Sequence, residues 1–112
     1  MADATDSIGI LQFALDAVVT QQQVIANNIA NQDTPGFQAS QVSFQTSLAQ
    51  ALQQGGSASV TTTPEGLASG VNGNNVSIAT EMTYLQENNL ENKTIDNALS
   101  AQFALLSAAL TA

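Results

Sequence analysis

Apolar residues recur through the first quarter of the chain in alternating steps of three and four: Ile8, Leu11, Leu15, Val18, then Ile25 and Ile29, with Gln22 in the one gap. This spacing predicts an amphipathic helix from Ser7 to Asn31 with an a/d heptad seam. Asp3, Asp6 and Ser7 are candidate N-caps, and acidic side chains suit the positive end of a helix dipole. A second helical pattern runs from Ile78 to Leu110, with Ser77 as its N-cap and Glu81 in its first turn. Its seam reads Ile78, Met82 and Leu85, then Asn89, Asn92 and Asp96, then Leu99, Phe103, Leu106 and Leu110. Leu90 and Ile95 fall off that register, which a stutter in the stripe would accommodate. From Ala98 to Ala109 the pattern is apolar almost all round, as in helices covered on several sides.

The segment between them is different in kind. Phe44, Leu48 and Leu52 stand four apart and predict a short helix over 42–53. From Gln54 to Asn75 glycines mix with Ser, Thr and Asn, notably in Gly55-Gly56-Ser57 and Gly70-Val71-Asn72-Gly73-Asn74-Asn75. This composition predicts a mobile connector. Val60 to Thr63 suits an extended strand but has no evident partner. The expected fold is all-α. Long N- and C-terminal helices, about 36 and 50 Å at 1.5 Å per residue, pack as an antiparallel coiled coil. Residues 1–37 form the first helix and its closing turn, and 38–75 form a flexible, partly disordered middle. Residues 76–112 form the last helix, which makes one helical domain with 1–37. The apolar faces left over on the last helix imply that neighbouring copies complete the packing.

Composition narrows the chemistry. Nine acidic residues face one basic residue, Lys93, for a formal net charge of −8. Nucleic-acid binding needs clustered cations to displace phosphate counterions, and an anionic membrane surface needs them equally. The chain has neither cysteine nor histidine, which removes the thiolate and the commonest general base and metal ligand. No catalytic, cofactor-binding or metal-binding residues are assigned, and no small-molecule substrate is expected. The apolar stretch from Ile8 to Val19, broken by Gln12 and Asp16, is too short and polar to span a bilayer. The acidic start, Asp3 and Asp6, is unlike a secretory leader, so export without a cleaved signal peptide is expected.

The most informative stretch closes the first helix: Ala26-Asn27-Asn28-Ile29-Ala30-Asn31, then Thr34-Pro35-Gly36-Phe37. Asparagines are poor helix-interior residues because their amides compete for backbone groups. Asn27, Asn28 and Asn31 are therefore expected to bond a partner helix or the carbonyls at the helix end. Pro35 disfavours helical backbone at Thr34, and Pro35-Gly36 fits the central pair of a type II turn. On these grounds alone the stretch is an ordinary helix stop, with Phe37 as an apolar anchor.

The full string resembles the ANNxANxxTPGY signature of the flagellar rod and hook protein family, with Phe37 in place of the usual tyrosine. Gln21-Gln22-Gln23-Val24-Ile25 before it, Val42-Ser43-Phe44 after it, Asn74-Asn75-Val76-Ser77-Ile78 with Glu81-Met82, Glu87-Asn88-Asn89-Leu90 and Leu99-Ser100 resemble segments of the proximal rod members. The resemblance covers both ends and spares the middle. Glu91 and Asn92 depart from it, standing where the family has basic and aromatic residues. It implies a structural subunit of the bacterial flagellar basal-body rod in the periplasm, stacked helically around an export channel and transmitting torque. The implied partners are other copies, other rod proteins, the rod–MS-ring junction protein, the MS ring and the type III export apparatus. The alternatives are a neighbouring proximal rod paralogue or a helical subunit of a related type III secretion structure.

Other features have plainer readings. Glu87 and Glu91, at i and i+4, read as a solvated, mildly repulsive helix face rather than an acid pair. Asp33 beside Thr34 reads as turn chemistry. Asn89, Asn92 and Asp96 could fix register between helices or face solvent. Met82 and Phe103 read as core.

Overall fold

The computed structural model describes residues 4–54 and 59–111, with the side chains from Ile8 onward. Its elements run α1 (Ala4–Ala30), β1 (Ser40–Val42), α2 (Phe44–Gln54), β2 (Thr62–Pro64) and α3 (Ile78–Thr111). The molecule is elongated, 64 × 23 × 14 Å. Contacts between the long helices run in opposite directions: Asn28 meets Glu81, Val18 and Gln21 meet Asn88, and Ala14 packs with Ile95. α1 and α3 are therefore antiparallel, and α2 lies beside α1.

Local chemistry explains the helix boundaries. The Ser77 hydroxyl accepts the Thr80 amide at 3.3 Å, as an N-cap should. Asp6 and Ser7 lie within α1 rather than ahead of it, while Asp3 is outside the described residues. α1 stops at Ala30, one residue before the predicted end. Its last turn tightens, with the Gln32 amide bonded to the Ile29 carbonyl.

The buried face of α1 is not the expected row of large aliphatics. It comprises Phe13, Ala14, Ala17, Val18, Gln21, Ile25 and Asn28. Of the expected packing residues, Val18 and Ile25 are buried, and Ile8, Leu11, Leu15 and Ile29 are half-buried. Gln21 and Asn28 replace Gln22 and Ile29 on the covered line. On α3 the buried positions are Glu81, Asn88 and Ile95, an unbroken heptad. No stutter is needed: Ile95 is core, whereas Leu90 is exposed. Leu85 and Leu99 are half-buried, but Ile78, Met82, Phe103, Leu106 and Leu110 are exposed. Met82 and Phe103 are thus not core in this chain. Asn89 and Asp96 face solvent, and Asn92 is half-buried. The physical reason is twofold. Small Ala14 and Ala17 let the helices come close, and the amides at the interface have partners that offset their desolvation.

The middle segment departs furthest from expectation. α2 forms close to the predicted range. Ala14, Val18 and Ile95 are the centre of an apolar cluster that Leu15, Phe44, Leu48 and Leu99 complete. The fold is not purely helical, because β2 pairs antiparallel with β1, with Gln41 opposite Thr63 and Val42 opposite Thr62. The Glu65 amide continues the ladder to the Ala39 carbonyl at 3.0 Å. Within the expected connector, residues 62–65 pair with β1 and residues 72–75 bond the turn that closes α1. Gly55-Gly56-Ser57 lie outside the described residues.

Candidate functional site

The string that closes α1 and the string that opens α3 meet in space. Pro35 and Gly36 occupy the centre of a turn in which the Phe37 amide donates to the Thr34 carbonyl at 3.2 Å. Gly36 has a φ of +77°, as the third residue of a type II turn requires. The Gly36 amide donates to the Asn72 carbonyl at 2.9 Å, and the Phe37 carbonyl accepts the Asn75 amide at 3.2 Å. Gly73 sits against this turn with a φ of +79°. A Cβ placed on Gly73 would lie 3.3 Å from the Gly36 Cα. Two backbones approach here too closely for a side chain to sit comfortably between them.

Asparagines stitch the joint. Asn31 donates its amide to the Asn27 carbonyl at 2.8 Å and accepts the Thr34 hydroxyl at 3.1 Å. The Asn74 side chain donates to the carbonyls of Asn31 and Thr34, at 2.9 and 2.7 Å, as a second donor to each beside the backbone amides of the turn. Its own oxygen accepts the Val76 amide at 2.8 Å, an Asx turn leading into α3. The Asn75 oxygen accepts the Ala39 amide at 2.6 Å, and its nitrogen donates to the Leu67 carbonyl at 3.1 Å.

One turn back along α1, Asn28 is fully buried. Its oxygen accepts the Ser40 amide at 3.2 Å and its nitrogen donates to the Ser40 carbonyl at 2.8 Å, so the side chain pairs with β1 as a neighbouring strand would. The same nitrogen lies 2.9 Å from Glu81 Oε1 and 3.2 Å from Glu65 Oε2. Burial, then the hydrogen bond and negative charge of Glu65, push the Glu81 carboxyl up to about 8, against the pull of Asn28. Further along, buried Asn88 donates to the Val18 carbonyl at 2.8 Å and to Gln21 Oε1 at 2.9 Å. Gln21 in turn reaches the Val42 carbonyl at 3.4 Å.

The structure thus brings Asn28, Asn31, Thr34, Gly36 and the backbone of Phe37 together with residues 72–75. Ala26, Asn27 and Ala30 are exposed on α1, Pro35 is exposed, Ile29 and Phe37 are half-buried. Sequence reading missed Glu65, Gly73 and the burial of Gln21, Glu81 and Asn88. Only the helical ones left a signal, a shared heptad phase, with Gln21 to Asn28 and Glu81 to Asn88 to Ile95 each a step of seven; Glu65 and Gly73 left none. Glu91, expected on a solvated face, is half-buried, and burial followed by the charge of Glu87 raises its carboxyl. No helix among the described residues is long and apolar enough to cross a membrane.

Residues 10–38, which include the whole helix stop and turn, match the family described as flagella basal body rod protein. Similarity to one relative extends over nearly the whole chain. The flagellar basal body rod protein FlgB of Bacillus subtilis is 33% identical over 116 aligned positions, covering 90% of this chain and 90% of that protein. The chain belongs to the FlgB family of flagellar basal body rod proteins. FlgB of Aeromonas hydrophila is 39% identical over 62 residues, 55% of this chain and 47% of its own. FlgB of Yersinia enterocolitica is 41% identical over 58, or 49% and 41%. In these two comparisons the chain spans just under half the length of its relatives. The family match takes in the α1 side of the packed joint, Asn28 to Phe37, and the other side comes from residues 72–75.

Proposed function

We propose that this chain is a structural subunit of the bacterial flagellar basal-body rod, in its cell-proximal part. The observation that carries the reading is the joint itself. Residues of the rod family match, Asn28 to Phe37, are used to lock the end of α1 against the loop that opens α3. A polar, water-accessible turn of this kind offers geometry and no reaction. Its effect is to fix where the middle segment leaves the helical pair.

In this reading α1 and α3 act as an antiparallel coiled coil in an inner tubular layer, and copies stack helically around an export channel. Large side chains on α3 without cover in this chain, Met82, Phe103, Leu105, Leu106 and Leu110, pack against adjacent subunits. So does the open apolar cleft of about 390 Å³ bounded by Ile10, Leu11, Phe44, Leu48, Leu90 and Ile95. Exposed apolar surface on this scale marks an interaction face in a small protein. Partners are other copies, other rod proteins, the rod–MS-ring junction protein and the MS ring. Delivery is by the type III export apparatus, and the assembled rod transmits torque.

The test is Gly36→Val in the chromosomal gene. A β-branched residue at this positive φ is strained, so the turn misdirects the chain. Soft-agar spreading is expected to be lost and basal bodies to lack the rod, while the protein is still made. Normal motility would refute the role assigned to the turn.

A further inference from the structure

The Glu65–Glu81 contact has no use in the joint as described so far. Glu81 is fully buried on the first turns of α3, and Glu65 directly follows β2. Asn28 places one amide nitrogen between them. Each carboxyl group keeps one buried oxygen, Glu65 Oε1 and Glu81 Oε2, with no donor to satisfy it. The two groups lie within hydrogen-bonding reach of one another. Two acceptor-only carboxylates in that position would leave both oxygens orphaned and repel. A single proton held between them satisfies both.

We propose that Glu65 and Glu81 form a proton-sharing clasp that fastens residues 59–76 to the helical pair, and that loss of the shared proton loosens it. Among the described residues no cation stands beside the clasp to take the place of the proton. From α1 the contact is the uncharged Asn28. From α3 it is Tyr84, whose phenol is itself raised by burial, then by Glu65, Glu81 and Glu87. β1 contributes the Ser40 backbone. Lys93, the one basic side chain, lies twelve residues along α3, about 18 Å away at 1.5 Å per residue.

The sign follows from linkage. A carboxyl raised from 4.5 to about 8 on folding makes the folded state the better proton binder. Its stabilising effect is complete below about 4.5, shrinks as pH rises, and is gone above about 8. The unfolding equilibrium constant therefore grows about tenfold per pH unit inside this window from this group alone.

The experiment follows urea unfolding of the full chain by circular dichroism from pH 5 to pH 9, in the native protein and in Glu81→Gln. The glutamine keeps an oxygen for Asn28 and supplies an amide donor to Glu65. The native chain is expected to show the tenfold slope and Glu81→Gln to lose it, becoming the more stable of the two at pH 8.5. Glu91→Gln is expected to keep the Glu81 slope, which separates the two raised carboxyls. A level native profile, or a tenfold slope up to pH 8 that survives undiminished in Glu81→Gln, overturns the clasp. Carboxyl carbon shifts from nuclear magnetic resonance of the native chain give a second reading that needs no variant. A Glu81 midpoint in the ordinary carboxylate range overturns the proposal, and one far above it supports it.

Discussion

At the scale of single residues, three glycines share one backbone angle and differ in surroundings. Gly36, Gly66 and Gly73 have φ between +77° and +79°. A Cβ on Gly36 or Gly66 would meet nothing within 4 Å, whereas on Gly73 it would meet the Gly36 backbone. Gly66→Ala therefore measures the conformational cost alone, about 1 kcal/mol. Gly73→Ala adds the clash and is expected to cost roughly 1–3 kcal/mol, because a backbone atom yields less readily than a side-chain tip. Urea unfolding of the two variants decides the point, and equal losses would mean that the Gly36–Gly73 approach relaxes freely. Polar side chains show the same dependence on surroundings. Asn88 and Asn89 are adjacent and chemically identical, yet one is buried with two bonds to α1 and the other is exposed.

At the scale of elements, α3 does two jobs along its length. Its first half holds Glu81, Asn88 and Ile95 against α1, and its second half turns Phe103, Leu105 and Leu110 to solvent. The double change Phe103→Ser, Leu110→Ser is expected to leave helicity of the dilute chain nearly unchanged while abolishing rod incorporation. Basal-body isolation reads this out, and a double variant that still incorporates would remove these side chains from the assembly surface. Helix existence, the N-cap at Ser77 and the Pro35-Gly36 turn were legible in the sequence because each rests on local chemistry. The phase of the seam was not. Counting large aliphatics put Gln22 and Ile29 inside, but the interface accepts Gln21 and Asn28 because partners far along the chain complete their hydrogen bonds. The strand pair was hidden for a similar reason. Thr62–Pro64 is a weak strand by itself and is defined by Ser40–Val42, some twenty residues earlier. The stitching was half legible: the asparagines at 27, 28 and 31 signalled unusual bonding, but nothing local named Asn74, Glu65 or Gly73 as partners.

For the whole molecule, shape and charge act together. A chain 64 Å long and 14 Å thin cannot enclose a deep core, and its net charge of −8 keeps copies apart. The tail is an exception, since no charged residue follows Asp96. Raising salt shortens the screening length from about 30 Å at 0.01 M to about 8 Å at 0.15 M. Self-association by sedimentation is accordingly expected to strengthen over that range. Weaker association at higher salt would show that specific ion pairs, rather than uncharged faces, bring copies together.

The stitched joint has a topological consequence. Because the Gly36 amide is bonded to the Asn72 carbonyl and Asn74 to the Thr34 carbonyl, the chain between them is a closed loop with a fixed neck. Lengthening a closed loop costs little, about 0.6 kcal/mol for each doubling. Within that loop α2, β1 and Glu65 are themselves held to the helical pair, which leaves the stretch after α2 as the place where length can change. Extra residues, even a whole inserted domain placed after α2, would leave the end of α1 and the start of α3 held as they are here, so the fold is a mount on which outer parts of different sizes can be exchanged.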